Sequence, residues 1–337
     1  MNGVADTGAG NENGDGSGAT TVAITGAAGY IGSCVVKQLR AAHPAWRIEA
    51  FDNFYHGDVR EVGDVPIKHV DVRDRGRLED ALAGADVVMH LAALSGVDDC
   101  AAHPDLAYEV NVRGTEHVAW FCRKHGAGLI FPFSMGVIGD PEEFPITVDH
   151  PREPLNWYGR TKLLNERAIE TLSAGAFPAH LFMIANLYGD HTIDGERVSK
   201  GTVTNFFLDR ALSGGTLTVY EPGTQSRNYV HVEDVARAYV KSGEAMVEAL
   251  DRGDTGVAKY ELASDEDPSV EEIARLVADV AAEERDVDAD VEIVENPRSG
   301  ETLVDSFPVD TDSAERDLGW AAEHTVEETI RERLRTA

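Results

Sequence analysis

A tyrosine and a lysine stand four residues apart in the segment Tyr158-Gly159-Arg160-Thr161-Lys162. Helical spacing places the phenol and the ammonium on one face of a helix. A free tyrosine titrates near pH ~10, and lowering its pKa to about 7 requires ~4 kcal/mol of preferential stabilisation of the phenolate. Beside a cation, Tyr158 would therefore exchange protons near neutral pH. The alternative is an exposed Tyr–Lys pair that has no chemical role.

Three regularly spaced glycines follow a short apolar run near the start of the chain. Residues 20–24 lead into Gly26, Gly29 and Gly32, and an amphipathic segment continues to Leu39. This order is typical of a strand, a tight turn and the start of a helix. In such a turn the backbone approaches a pyrophosphate, which the unpaired N–H groups of the helix N-terminus face. The spacing predicts a dinucleotide site, with an ordinary turn as the alternative.

Asp52 stands 20 positions beyond Gly32, at the end of the strand-like segment 47–53. A carboxylate at this point of a dinucleotide-binding fold accepts hydrogen bonds from the adenosine ribose and repels a 2′-phosphate. No Arg or Lys follows directly in Asn53-Phe54-Tyr55-His56. NAD is therefore favoured over NADP, and its positively charged nicotinamide would help to lower the pKa of Tyr158.

Short apolar runs alternate with helical segments along the first half of the chain. The strand-like runs are 67–70, 86–91 and 129–133, and one of the helical segments is 107–124. This alternation predicts an α/β fold, a Rossmann-type doubly wound parallel sheet. Asp71-Val72-Arg73-Asp74 and His90-Leu91-Ala92-Ala93-Leu94 adjoin strand ends and would line the cofactor crevice.

The second half continues this pattern less regularly, after a Pro-rich acidic loop at 140–156. Helices are predicted at 158–172, 203–212, 232–249, 270–282 and 325–335, and strands at 180–185, 217–220 and 228–231. We expect residues 1–19, rich in Gly, Asn and Asp, to form a disordered tail. Residues 20–185 form the NAD-binding domain. Residues 186–337 form mainly a smaller α/β substrate-binding lobe, interleaved with the end of the sheet.

The chain is strongly acidic, with 60 Asp and Glu against 30 Lys and Arg and a formal charge of −30. Nucleic acid is therefore not expected as a partner. Because the acidic residues are spread along the chain, their repulsion would be strongest at low salt, which is a halophilic trait. An ordinary acidic cytosolic protein is the alternative.

Cysteine usage and hydropathy indicate the compartment. Cys34, Cys100 and Cys122 form no close pair and no Cys/His cluster, so a reducing environment and no metal site are expected. No apolar run is long enough to span a bilayer, and the N-terminus lacks the pattern of a signal peptide. These features predict a cytoplasmic protein with no membrane partner.

Together these motifs resemble the extended short-chain dehydrogenase/reductase family, over the stretch from Thr21 to about Trp320. The matching positions, in the family's order, are the glycine turn, Asp52, Asp71, His90-Leu91-Ala92-Ala93, Asn111-Val112-Arg113-Gly114-Thr115, Ser134, Tyr158 and Lys162. An ordered set of this kind is far more specific than any one motif.

The resemblance implies roles for individual residues. Tyr158 would be the acid/base, Lys162 would bind the nicotinamide ribose and lower the phenol pKa, and Ser134 would bond the reacting hydroxyl. The implied NAD contacts are Gly26, Gly29, Tyr30, Ile31, Gly32, Asp52, Asn53, Asp71, Val72, Leu91, Ala92, Ala93, Asn111, Tyr158 and Lys162. For Asn111 the alternative is that it satisfies backbone groups within a helix. The family also implies a homodimer through 107–124 and 158–172.

The second half resembles the sugar-nucleotide branch of the family. The matching segments are Asn186-Leu187-Tyr188-Gly189, Gly223 through Ala236, and Pro297-Arg298-Ser299-Gly300-Glu301. By this resemblance Ser134, Asn186, Arg227 and Arg298 would bind a nucleotide sugar. The two guanidiniums suit a diphosphate because they bind phosphate oxygens bidentately. Pairing with surface carboxylates is the alternative.

The positions after Ser134 narrow the expected reaction. Met135 and Gly136 offer no titratable group of the kind that related dehydratases and decarboxylases carry there, and no cysteine lies nearby. A nucleotide-sugar 4-epimerase acting on UDP-glucose and UDP-galactose is therefore expected, although the sequence fixes neither the sugar nor the nucleotide.

Two departures from the family pattern keep other reactions open. Ile138 stands where the family often has tyrosine, and Ala185 stands where a basic residue often precedes Asn186. The main alternative is a sugar dehydrogenase that releases NADH. A dehydratase or decarboxylase, or a protein that binds NAD without catalysis, agrees less well with these residues than a sugar dehydrogenase does.

Overall fold

The computed structural model describes residues 19–297 and 302–337. The strands are β1 (Thr21–Thr25), β2 (Arg47–Asp52), β3 (Glu61–Val62), β4 (Val65–His69), β5 (Val87–His90), β6 (Gly128–Ser134), β7 (Pro178–Ile184), β8 (Asn186–Tyr188), β9 (His191–Ile193), β10 (Glu196–Val198), β11 (Leu217–Tyr220), β12 (Tyr229–His231), β13 (Gly256–Leu262) and β14 (Val291–Val294). The α-helices are α1 (Tyr30–Ala42), α2 (Arg75–Leu82), α3 (Val97–Ala102), α4 (Pro104–Ala107), α5 (Gly114–His125), α6 (Trp157–Ser173), α7 (Val203–Leu212), α8 (Val232–Arg252), α9 (Val270–Arg285), α10 (Asp312–Leu318) and α11 (Val326–Thr336).

The main sheet has the strand order β13-β7-β6-β5-β1-β2-β4-β3. Its neighbours pair in parallel except β3 and β4. The chain leaves β1 in one direction towards β2 and β4, and later returns to β5 on the other side. Thr25 and His90 are paired where β1 and β5 end. Ligands of such sheets bind in the crevice that opens at this reversal of strand order. The predicted doubly wound sheet is confirmed.

Helices cover both faces of this sheet. Helices α1 and α8 pack together on one face, and α5 packs against α2 and α6 on the other. Helix α1 buries Cys34, Val35, Val36 and Leu39 in one stripe against the sheet. The main core therefore lies on the two faces of the sheet and fixes the elements from which the crevice is built.

A second core lies in the C-terminal half. Helices α7, α9 and α11 pack with one another, and α7 and α9 also pack on β11, which pairs in parallel with β14. Tyr188 and Tyr229 are buried there. Strand β13 does not belong to this second core, because it joins the edge of the main sheet beside β7.

Some elements differ from the sequence predictions. The helix predicted at 107–124 is continuous, but its turn at Tyr108–Arg113 between α4 and α5 is π-helical. Strand β13 was not predicted. The predicted disordered tail lies outside the described residues except for Ala19. No helix in the two described ranges is long and apolar enough to cross a membrane.

Candidate active site

A cavity of about 1110 Å³ opens along the carboxyl ends of the parallel strands. Every predicted NAD contact lines it except Asp71 and Asn111. The predicted catalytic residues Ser134, Tyr158 and Lys162 line it as well. The fold therefore brings together motifs that are separated by more than a hundred residues.

Two glycines of the turn between β1 and α1 leave no room for a side chain. Gly26 has φ +74°, and a Cβ there would lie 2.5 Å from the backbone nitrogen of Ala92. A Cβ on Gly32 would lie 2.1 Å from the carbonyl oxygen of Gly26. Helix α1 begins after Gly29 without a side-chain cap. Its first N–H groups are thus available to an anion in the cavity, as a dinucleotide pyrophosphate requires.

Asp52 is held rigidly at the end of β2. Its Oδ2 accepts a hydrogen bond from the Ala28 N–H at 3.0 Å, and its Oδ1 accepts one from the Phe54 N–H at 2.7 Å. Burial raises the pKa of Asp52, while these backbone bonds and the charge of Arg60 lower it. Each carboxylate oxygen has further acceptor capacity for a ribose hydroxyl.

Arg60 brings a positive charge near Asp52 that the sequence prediction did not include. Its guanidinium carbon lies 3.8 Å from the ring centroid of Phe54, and its charge acts on Asp52. The segment directly after Asp52 contains no basic residue, yet the fold returns one to this edge of the cavity. Arg60 stands eight positions after Asp52, and chain folding brings its charge back towards this carboxylate.

The end of β6 and the start of α6 form the catalytic side of the cavity. Asn156 caps α6 by accepting a hydrogen bond from the Gly159 N–H at 3.0 Å. Lys162 Nζ donates to the Pro132 carbonyl at 2.8 Å and lies 5.8 Å from the ring centroid of Tyr158. Ser134 Oγ accepts a hydrogen bond from the Gly136 N–H at 3.1 Å. The hydroxyl, the phenol and the ammonium therefore share one wall.

Burial has the largest effect on the pKa of the Tyr158 phenol. Burial raises the pKa of Tyr158 to about 12, with Cys100 acting in the same direction and the hydrogen bond with Ser134 opposing. Burial lowers the pKa of Lys162 to about 8. A role for Lys162 in lowering the phenol pKa stays a prediction.

Asn111 lies behind the cavity wall. Its Oδ1 accepts a hydrogen bond from the Leu94 N–H at 2.8 Å, and its Nδ2 donates to the Leu94 carbonyl at 3.0 Å and to Thr161 Oγ1 at 3.2 Å. It thus satisfies backbone groups of the loop after β5, not those of its own helix. Direct NAD contact by Asn111 stays a prediction.

A buried histidine links this loop to the sheet. His90 bonds Thr25 Oγ1 at 2.7 Å and Thr115 Oγ1 at 3.0 Å. Burial lowers the pKa of His90 to about 3, so the ring is neutral. Because the Thr115 hydroxyl donates to the Asn111 carbonyl at 2.6 Å, it accepts from His90 Nε2–H. His90 Nδ1 then accepts from the Thr25 hydroxyl, and the loop that carries Leu91 to Ala93 is fixed.

The remaining predicted contacts lie away from the cavity wall. Asp71 pairs with Arg73 at 2.6 Å, which is the main reason that its pKa falls to about 2, and it accepts a hydrogen bond from Asn53 Nδ2 at 3.2 Å. Asn186 is exposed at the start of β8. Arg227 donates to the carbonyl oxygens of Ser226 and Thr302.

Arg298 lies outside the described residues. The structure therefore gives no account of one of the two arginines predicted to clamp a diphosphate. The roles of Arg298 and Arg227 stay predictions.

Sequence reasoning missed the wall formed by β9, β10 and the residues after them. Asp194, Glu196, Arg197 and Lys200 line the cavity from this side. Arg197 is paired with Asp190 and Asp209. No sequence motif marks these residues, and only the folded chain brings them to the crevice.

A histidine pair outside the cavity was not predicted either. The possible ligand atoms of His231, Glu233 and His324 lie within 4.8 Å of one another, and the two imidazole rings stack with centroids 4.1 Å apart. His231 Nδ1 accepts the Glu233 N–H at 3.2 Å, and His324 Nδ1 lies 3.0 Å from Asp234 Oδ1. His231 thereby caps the N-terminus of α8, and His324 holds the C-terminal segment to α8. The expected lack of a metal stays a prediction.

The glycine turn between β1 and α1 and the group of Ser134, Tyr158 and Lys162 make this chain a short-chain dehydrogenase/reductase by class. The model of the NAD dependent epimerase/dehydratase family matches residues 22–257, so the chain belongs to that family and NAD is its cofactor.

Named relatives extend this similarity along the chain. UDP-glucose 4-epimerase 4 of Oryza sativa subsp. japonica is 31% identical, over 93% of this chain and 88% of the relative. The NAD complex of UDP-glucose 4-epimerase from Thermus thermophilus is 26% identical with a TM-score of 0.78, over 94% of this chain and 100% of that one. The Bifidobacterium longum enzyme with NAD+ and UDP is 26% identical with a TM-score of 0.79, over 94% and 97%.

Proposed function

We propose that this protein interconverts nucleotide sugars that differ at C4, with UDP-glucose and UDP-galactose as the expected pair. The observation that carries the proposal is the wall that holds Ser134, Tyr158 and Lys162 together, followed by Met135 and Gly136. These two positions supply no second acid or base for elimination or decarboxylation. Relatives named UDP-glucose 4-epimerase support the same reaction.

Gly26, Gly32 and Asp52 would hold NAD, which would supply the chemistry of hydride transfer at the sugar C4. Tyr158 takes the proton of the C4 hydroxyl as the phenolate and later returns it, so that no net oxidation occurs. Ser134 hydrogen-bonds the reacting oxygen, and Lys162 holds positive charge near the phenolate. The transient 4-keto sugar presents its other face before it is reduced. One acid/base therefore suffices for both halves of the reaction.

Three further residues are proposed to bind the substrate. Arg227 donates to two carbonyl oxygens, and it stands in a segment that matches the sugar-nucleotide branch. We assign Arg227, Arg298 and Asn186 to the substrate, with UDP as the nucleotide. The Bifidobacterium longum structure contains UDP, which supports UDP as the nucleotide.

The runner-up is a sugar dehydrogenase that releases NADH. It is favoured by Ile138, which is buried and offers no hydroxyl where the family often has tyrosine. Both reactions begin with the same proton and hydride transfer, and they differ in whether the keto sugar is reduced again.

One experiment separates these two reactions. The protein is incubated with UDP-sugars, dTDP-sugars and free aldoses while NADH absorbance and product identity are followed. Epimer formation without net NADH supports the epimerase. Stoichiometric NADH from a free sugar contradicts it, and a 4-keto-6-deoxy product would instead establish a dehydratase.

We also propose that two copies associate through α5 and α6. These helices pack side by side, and Trp120 and Leu164 on them are 42% and 44% exposed. Large exposed apolar side chains on adjacent helices suit an interface. Light scattering at high salt tests this proposal, since a monomeric mass contradicts it.

The three cysteines are free and buried, which supports the further proposal of a reducing, cytoplasmic location. The division into an NAD-binding part at 20–185 and a mainly substrate-binding part at 186–337 also stays a proposal. It is supported by the second core, whose buried residues all follow position 186.

A further inference from the structure

The lysines of this chain divide into two groups by their partners. Five of the seven form ion pairs with carboxylates: Lys37 with Glu233, Lys68 with Glu49, Lys124 with Glu79, Lys241 with Glu244, and Lys259 with Glu166 and Glu170. Among the residues that the structure describes, Lys162 and Lys200 form no ion pair. Both line the cavity. In so acidic a chain, two lysines kept from carboxylates at one site require a reason.

Lys200 is held at the cavity wall by a neutral partner. Its Nζ donates to Ser95 Oγ at 2.7 Å. Ser95 follows the Leu91 to Ala93 stretch at the end of β5, and Lys200 follows β10. Because a hydroxyl does not neutralise an ammonium, the bond orients the charge without cancelling it. Lys200 also acts on the pKa of Lys162, so the two ammonium groups are within electrostatic reach.

Three arginines line the cavity, and Arg60 stacks on the ring of Phe54 beside Asp52. Arg73 pairs with Asp71, and Arg197 pairs with Asp190. Lys162 donates to a backbone carbonyl and belongs to the catalytic wall. Lys200 is thus a cation that the Ser95 hydroxyl orients, that forms no ion pair with a described residue although the charge of Asp99 acts on it, and that has no role in the proposed chemistry.

We propose that Lys200 binds the diphosphate of a nucleotide in this cavity. An ammonium binds phosphate oxygens as a point charge, through short charge-assisted hydrogen bonds. Two ligands of the site carry a diphosphate, the dinucleotide and the nucleotide sugar. The inference depends on the proposed function only if the nucleotide sugar is the ligand that Lys200 binds. Ser95 is the positioning residue that holds the ammonium in place.

The test compares binding by charge variants on protein freed of bound nucleotide. Lys200→Met removes the charge, Lys200→Arg keeps it, and Lys241→Met is the matched control because Lys241 is paired with Glu244 in α8. NADH and UDP are titrated by fluorescence and calorimetry, with adenosine and uridine as ligands that lack phosphate. We expect Lys200→Met to weaken NADH or UDP about 10-fold, which corresponds to one charge-assisted hydrogen bond.

The four ligands distinguish the outcomes. Weaker NADH with unchanged UDP assigns Lys200 to the cofactor, and the reverse assigns it to the substrate. Unchanged affinity for both overturns the proposal, as does an equal loss for adenosine or uridine, which indicates general damage to the cavity. Lys200→Arg should retain most of the affinity. These readouts are independent of turnover, so a wild-type protein that forms no epimer would remove the proposed function but not the NADH result.

Discussion

A Cβ on Gly159 would lie 2.5 Å from the carbonyl oxygen of Gly136, so helix α6 meets the loop after β6 backbone against backbone. This contact sets the distance between the element that carries Tyr158 and the strand that ends at Ser134. No side chain fits between them. The relative position of phenol and hydroxyl therefore depends on a glycine that touches no substrate.

Gly159→Ala should force these two segments apart. Overpacking of this kind costs about 1–3 kcal/mol and displaces Tyr158 from Ser134. We expect turnover to fall at least ~10-fold, with lower stability in urea unfolding. Gly76→Ala in α2 is the control, because its nearest atom would be an ordinary 3.8 Å away. Unchanged kcat in Gly159→Ala would show that the close contact does not position the phenol.

Tyr158→Phe removes the acid/base but keeps the ring. Turnover should fall by about 10²–10⁴-fold, while NADH affinity should change little because the aromatic wall remains. Fluorescence titration of NADH on the variant provides the control. Retained epimerisation would mean that another group moves the proton.

Stability should depend on pH through Lys162. Its pKa is about 8 in the folded protein against an ordinary 10.5. Between these values the unfolded chain binds more protons, so folded stability rises with pH in this window. Relative to Lys162→Met, the wild type should gain about 2 kcal/mol between pH 8 and about 9.5. Urea unfolding measures the difference, with the exposed Lys68→Met as control. A difference in the free energy of unfolding that does not change with pH would contradict the lowered pKa of Lys162.

Glu166 should be a large determinant of stability. Its side chain is 1% exposed, and it pairs with Arg152 at 2.8 Å and with Lys259 at 2.6 Å. Burial raises the pKa of Glu166, but the two cations together lower it by more than burial raises it. The pKa of Glu166 therefore lies below its ordinary value. Glu166→Ala leaves Arg152 buried without its partner and should cost about 3–5 kcal/mol. Glu170→Ala, at a half-buried site, should cost under ~1 kcal/mol in the same assay. Equal losses would refute this ranking.

Salt should stabilise the fold because of the net charge of −30. At 1 M the Debye length is ~3 Å, so repulsion between excess carboxylates is screened. Surface ion pairs weaken too, but acidic residues outnumber basic ones two to one. We expect the melting temperature to rise by about 5 °C or more between dilute buffer and molar KCl. An unchanged melting temperature would count against a halophilic origin.

Local patterns predicted most elements well. The bounds of α7 at Val203–Leu212 and β11 at Leu217–Tyr220 match the sequence prediction, and α6 and α8 differ by a few residues. These segments combine clear periodicity with start and stop signals. The extended short-chain dehydrogenase/reductase resemblance is confirmed by the family match.

Contacts between residues that are far apart in the sequence explain the features that were not predicted. The π-helical turn at Tyr108–Arg113 contains Asn111, whose bonds reach Leu94 and Thr161, so its geometry depends on partners far along the chain. The motif residues of the site were predictable because each motif is local. Arg60 and Lys200 were not, because no motif marks them and folding alone brings them to the cavity.

Strand β13 has a consequence for how the chain folds. It pairs along the whole length of β7, from Gly256 with Pro178 to Leu262 with Ile184, and every residue of β7 is buried. A fragment that stops at residue 185 would expose this apolar strand as an open edge, which is a template for aggregation. Synthesis must therefore reach residue 262 before the main sheet of the nucleotide-binding half is complete.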